Sequence, residues 1–164
     1  MRGVEHHLEA LGLSLNRDKT RVVEATEGFT FLGFTFKMKH NPKTGKWFPL
    51  TVPSKRAMAH IRGEIKGLTG NRMHALGTPE VIRRVNRVLR GWINYFHYGN
   101  CTSAFKALRG HVEHRTRTYL RRRHGLAYQA YQRFPQSLMY EKLGLIKIPT
   151  SAPWTASAKA AGRR

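Results

Sequence analysis

Four arginines, Arg83, Arg84, Arg87 and Arg90, recur at spacings of one, three and three within residues 78–99. Arginine stays ionised and presents a planar fork of donors, so a row of them along one helix face makes a seat for phosphates. The plainer alternative is a solvated polar face. Against it, no acidic residue follows Glu80 before Glu113 to form the usual i,i+4 pairs. A second basic group, Arg115, Arg117, Arg121, Arg122 and Arg123, lies further along the chain. Tyr95, Tyr98, Tyr128 and Tyr131 have flat faces that can stack on unpaired bases, although partial burial is the simpler account of each.

Residues for bond-breaking chemistry are sparse. Asp18 is the single aspartate, and the glutamates are scattered with no spacing that suggests a metal-binding pair. His111 and His114 lie one turn apart and Cys101 precedes them, but a structural zinc site wants four ligands, and nothing else supplies them at suitable spacing. No metal site is expected. Cys101 also lacks an identifiable base partner for a role as nucleophile.

The basic rows need helices to position them. Residues 78–99 predict one of about five turns, with Thr78 as N-cap, Pro79 at the first helical position and Gly99 at the end. At about 100° per residue, Val81, Ile82, Val85, Val88, Leu89, Trp92, Ile93 and Phe96 share one arc, opposite the arginines. Trp92 and Phe96 are assigned to the core. Ser54 should cap an earlier helix, with Ala57, Met58, Ile61, Ile65 and Leu68 inward and Lys55, Arg56, Arg62 and Lys66 outward. A third helix should start near Thr102 or Ser103, bury Phe105, Leu108, Val112, Tyr119 and Leu120, and end in the run at Arg121. Three such helices can bury one another. A short helix over 125–133 is expected next, then a final turn or two within 137–143 after Pro135.

Upstream the period is two. Residues 1–11 predict a short helix with Val4, Leu8 and Leu11 on one side, stopped by Gly12. A strand at 20–23 and a stronger one at 29–38 follow, the latter paired with 46–52 through a turn at 40–45. The fold class is therefore α+β: a small antiparallel sheet with one helix, followed by a mostly helical bundle. The expected division is 1–52, 53–149, and a flexible basic tail over 150–164 in which Trp154 could dock.

Lysine and arginine number 30 against 9 acids among 164 residues, a net charge of +21 that is the footprint of a polyanion binder. Nucleic acid is the first expectation, ahead of an anionic membrane surface. No run of about 18 apolar residues could cross a membrane, and no signal peptide is expected. The single cysteine fits a reducing, cytoplasmic setting.

Three stretches in order carry a resemblance. Residues 11–20, LGLSLNRDKT, look like the end of the palm of a group II intron-encoded reverse transcriptase/maturase; residues 28–34, GFTFLGF, resemble its primer-grip strand; and residues 90–96, RGWINYF, resemble the signature of its helical thumb, or maturase-specific domain X. The resemblance reaches to about Pro149. It implies that Phe31, Leu32, Gly33 and Phe34 hold the primer end, Gly33 because a missing Cβ lets a nucleic-acid backbone approach closely. The plainer account makes Gly33 a strand glycine at a bulge and the phenylalanines core, with Phe34 and Phe36 expected there. It also implies that Lys19 stabilises the pyrophosphate side of the reaction, but only in a complete palm; an ordinary turn lysine is the alternative.

The family's metal-binding aspartates belong to palm strands upstream of the matching region. No cofactor is therefore expected in this stretch, and Mg2+ only in the complete polymerase. The resemblance implies binding of group II intron RNA for splicing and clamping of template–primer duplex, with the arginines of both groups as RNA ligands. No polymerase activity is expected of the chain alone, and the tail is too short for a nuclease with paired cysteines. The alternatives are a subunit that completes a split RNA-directed DNA polymerase with a separate fingers–palm chain, betrayed by exposed apolar surface around Val4, Leu8, Leu11 and the first strand, and a nonfunctional truncated remnant.

Overall fold

The computed structural model describes residues 2–14, 16, 20, 22–127 and 130–150. Helix α1 spans Arg2–Glu9 and ends at Gly12, whose φ of 70° lets Gly12 N–H reach Glu9 O and Leu13 N–H reach Leu8 O, both at 2.9 Å. This is the Schellman closure that a glycine past a helix permits. Leu8 is half-buried and Leu11 exposed; the side chain of Val4 lies outside the described residues.

The strand expected over 29–38 is instead a hairpin. Strand β1 (Phe29–Phe31) turns through Leu32 and Gly33 into β2 (Phe34–His40), and Phe31 pairs with Phe34. Leu32 at φ 46° and Gly33 at φ 79° both lie in the left-handed region. A two-residue hairpin turn of type I′ asks for positive φ at both central positions. Alternating hydrophobicity runs unbroken through the turn, which hides it from a period-two reading. Asn41 and Gly45 then close the expected loop, with Gly45 N–H on Asn41 O and Asn41 N–H on Lys46 O, both at 2.9 Å. Strand β3 (Trp47–Pro53) returns antiparallel, giving the order β1-β2-β3.

The strand expected at 20–23 does not form among its described residues. Val22 is 76% exposed and no ladder reaches it. The chain rejoins the sheet only at a turn, where Glu27 and Gly28 N–H meet Glu24 O and Ala25 O accepts from Met38 N–H at 2.7 Å.

Helix α2 (Lys55–Leu68) begins as expected: Ser54 Oγ accepts from Ala57 N–H at 3.1 Å. Ser54 N–H also donates to Gly33 O at 2.8 Å, tying the start of α2 to the hairpin turn. Helix α3 (Thr78–Phe96) departs slightly from the expected ends. Gly77, extended at ψ 148°, takes the cap position, so Thr78 is already helical, and the helix stops at Phe96 rather than Gly99. Gly99 is required for another reason: its φ is 77°, and a Cβ there would meet Thr51 O at 2.5 Å. Helix α4 (Thr102–Arg123) matches expectation at both ends, whereas the expected 125–133 helix is reduced to α5 (Ala130–Arg133). A five-residue π-helical turn, Leu138–Lys142, follows.

The core forms between the three long helices. Ile61 and Ile65 of α2, Ile82, Val85, Leu89 and Phe96 of α3, and Phe105, Leu108 and Val112 of α4 are buried in one cluster. Met139, Leu145 and Ile148 belong to it as well, so the segment after α5 is a core element rather than a trailing turn. Asn86 holds it there, donating Nδ2–H to Gly144 O at 2.8 Å while its Oδ1 accepts from Ile146 N–H at 2.9 Å. The sheet docks through Phe34, whose ring centroid lies 4.9 Å from that of Phe96. Asn100 and Thr51 add a reciprocal pair: Asn100 N–H to Thr51 O at 2.6 Å, and Thr51 N–H to Asn100 Oδ1 at 3.1 Å.

Candidate nucleic-acid interface

The period of α3 divides it as its sequence suggests. Val81, Ile82, Val85, Leu89 and Phe96 are buried, Val88, Trp92 and Ile93 are half-buried, and Arg83, Arg84, Arg87 and Arg90 are exposed. Glu80, the last acid before Glu113, is engaged. Glu80 sits one turn below and takes both Arg83 and Arg84, the latter with Nε on Oε1 at 2.7 Å. These hydrogen bonds, Arg84 first and Arg83 second, hold its carboxyl below the usual range. Arg87 and Arg90 have no carboxylate or hydrogen-bond partner among the described residues. A groove of about 360 Å3 between α2 and α3 runs past Glu64, Glu80, Arg84 and Arg87.

The second basic group is placed differently. Arg115 is half-buried and closes the end of α2, with Nε on Thr69 Oγ1 at 3.2 Å and Nη2 on the carbonyls of Lys66 and Thr69 at 3.4 Å. Arg117 is 7% exposed, donates Nε–H to Phe134 O at 2.9 Å, and lies over the Tyr131 ring at 4.5 Å. Arg121 Nη1 reaches Ala127 O at 2.9 Å, Arg122 Nη1 reaches Asn71 Oδ1 at 3.0 Å, and Arg123 Nη1 reaches Leu76 O at 2.7 Å. Each therefore serves the fold with part of its fork and keeps other N–H groups, since a guanidinium carries five. None of the five meets a carboxylate among the described residues.

The acid that α4 does carry is committed internally. Glu113 accepts from Arg109 Nε at 3.1 Å, from Gln136 Nε2 at 2.8 Å and, over a short contact, from Tyr140 Oη. Burial would raise its pKa, but the three hydrogen bonds outweigh burial and hold it below the ordinary value. Burial first, and the bond to Glu113 second, push Tyr140 up to about 12. The i,i+4 spacing of Arg109 and Glu113 was legible in sequence; their partners Gln136 and Tyr140, brought by a distant turn, were not.

The motif residues of the amino-terminal half meet α3. Phe31 and Leu32 are exposed at the hairpin turn, 60% and 66%, while Phe34 is half-buried against Phe96. Tyr95 Oη donates to Leu32 O at 2.8 Å. A Cβ on Gly33 would come within 3.2 Å of Phe96 Cζ, so the glycine fits against a protein ring. The GFTFLGF and RGWINYF stretches are thus neighbours in space. Lys19 and Asp18 lie outside the described residues, as do Tyr128 and residues 151–164.

Cys101 is fully buried and burial pushes its thiol upward in pKa. His111 contacts Arg62 O through Nε2 at 3.3 Å, and burial pushes its pKa down. Among the described residues no three metal-ligating side chains converge, and no helix is long and apolar enough to cross a membrane.

What this arrangement amounts to is a helical bundle with basic outer faces, a small hairpin sheet docked on its central helix, and few acids to neutralise it. Residues 58–135, from within α2 to just beyond α5, match the family described as "Group II intron, maturase-specific domain". That stretch is therefore similar to a maturase-specific domain, as the C-terminal maturase/thumb region of a group II intron reverse transcriptase would be. No curated protein matches the chain.

Proposed function

We propose that this chain binds structured group II intron RNA through its phosphates, assists its folding and splicing, and clamps template–primer duplex where it is joined to a catalytic palm. The observation that carries the reading is the outer face of α3, where Arg87 and Arg90 project with no partner among the described residues, within the stretch that matches the maturase-specific family. Affinity comes mainly from release of counterions, and specificity from RNA shape. Arg83, Arg84 and the α4 arginines contribute the donors that the fold leaves unspent. Metal-dependent polymerisation belongs, on this reading, to a palm bearing the aspartates, where Lys19 would act and Mg2+ would bind.

The test is binding to a group II intron RNA beside a size-matched unrelated structured RNA over a salt series. Preference for the intron that persists as salt rises supports the reading. Equal binding that collapses steeply with salt leaves only charge neutralisation and points to a nonfunctional remnant.

A second reading makes the chain part of a polymerase completed by a separate fingers–palm chain. Leu11, Leu13, Val22, Phe29, Phe31 and Leu32 are all about half or more exposed, which favours a covering partner. Co-expression with a fingers–palm chain followed by primer extension tests it, and absence of both association and extension rejects it.

A further inference from the structure

Beside the carboxyl half of α4 lies a groove of about 440 Å3, bounded by α5 and lined by His114, Arg115, Arg117, Arg121, Arg122 and Tyr131 among others. Its size falls within the roughly 300–1,000 Å3 of small-ligand sites. No acid lines it. Arg117 is the decisive residue: an arginine only 7% exposed, with no counter-charge among the described residues. Burying an unpaired charge is expensive, and an arriving anion relieves that expense. Beside it, burial and then the charge of Arg122 lower the pKa of Arg115.

The arginines are also fixed in advance. Bonds to Phe134 O, Ala127 O and Asn71 Oδ1 anchor Arg117, Arg121 and Arg122 by one edge each, so little side-chain freedom remains to be lost on binding. Above them Tyr131 is 67% exposed. Arg117 lies over its ring at 4.5 Å, and among the described residues no second ring or cation stacks on it. A flat, open aromatic beside preorganised cations is the combination that takes a base and its phosphate together.

We propose that this groove holds one unpaired RNA nucleotide, its base stacked on the face of Tyr131 away from Arg117 and its phosphate among Arg117, Arg121 and Arg122. The site would be distinct from the α3 face and would give the domain a means of recognising a bulge or loop within an otherwise paired RNA. It rests on the reading that the chain binds RNA.

The test compares a short RNA duplex with the same duplex carrying a bulged adenosine, using the full chain. Wild type should prefer the bulged RNA by roughly fivefold or more. Tyr131→Leu should erase the preference and leave duplex binding unchanged, whereas Tyr131→Phe, which keeps the ring, should retain it. Circular dichroism confirms that both variants are folded. Equal binding of both RNAs by wild type, or a preference that survives in Tyr131→Leu, overturns the nucleotide site and leaves the RNA-binding reading standing. Failure of wild type to bind either RNA overturns both.

Discussion

Tyr95 donates its hydroxyl to Leu32 O at 2.8 Å, joining the last turn of α3 to the tip of the hairpin across 63 positions of sequence. Beneath that bond Gly33 faces Phe96, with Phe34 stacked on Tyr95 and tilted against Phe96. An exposed turn with a leucine at positive φ is thereby held in one place.

The joint predicts an ordered pair of stability losses. Gly33→Ala combines a left-handed backbone with a Cβ pressed on Phe96 and should cost about 1–3 kcal/mol. Tyr95→Phe removes one partly exposed hydrogen bond and should cost about 0.5–1.5 kcal/mol. Urea unfolding checks both, and a neutral Gly33→Ala would show that the turn is not confined by Phe96.

The α3 face predicts opposite effects from two neutralising changes. Arg87→Gln removes an unpaired cation and should weaken binding to structured RNA, with the salt slope falling by about one unit. Glu80→Gln releases Arg83 and Arg84 from their shared acid and should tighten binding and steepen the slope. Equal, null effects of both on the slope would remove this face from the interface.

The Glu113 cluster predicts how stability follows pH. The carboxyl is held below its unfolded value near 4.5, so its contribution is complete above that value and is lost as pH falls through the folded pKa. Tyr140, raised from 10.0 to about 12, favours the folded state below pH 10 and loses that contribution as pH rises toward 12. Thermal melts of Glu113→Gln should therefore show a lower Tm than wild type at neutral pH and a gap that narrows below pH 4.5. A gap independent of pH would show that the ionised carboxylate is not what matters.

Much of this was readable from sequence because it depends on local pattern. The apolar arc of α3, the Ser54 cap, the inward residues of α4 and the loop at Asn41 follow from helical period, capping chemistry and turn residues, each set within a few neighbours. The charge excess that points to nucleic acid needs no fold at all.

Tertiary packing decided the rest. Period two could not reveal that GFTFLGF bends into a hairpin, because the turn falls within the alternation and is favoured by the bond from Tyr95 and the fit of Gly33 to Phe96. Helical period placed Asn86 beside buried Val85 but could not supply Gly144 and Ile146, which satisfy it from nearly sixty residues away. Nor could a list of arginines separate Arg87, exposed at the surface, from Arg117, buried under Tyr131 with no counter-charge among the described residues. Sequence fixes which groups carry charge; only the folded chain decides which donors are already spent and which remain for a ligand.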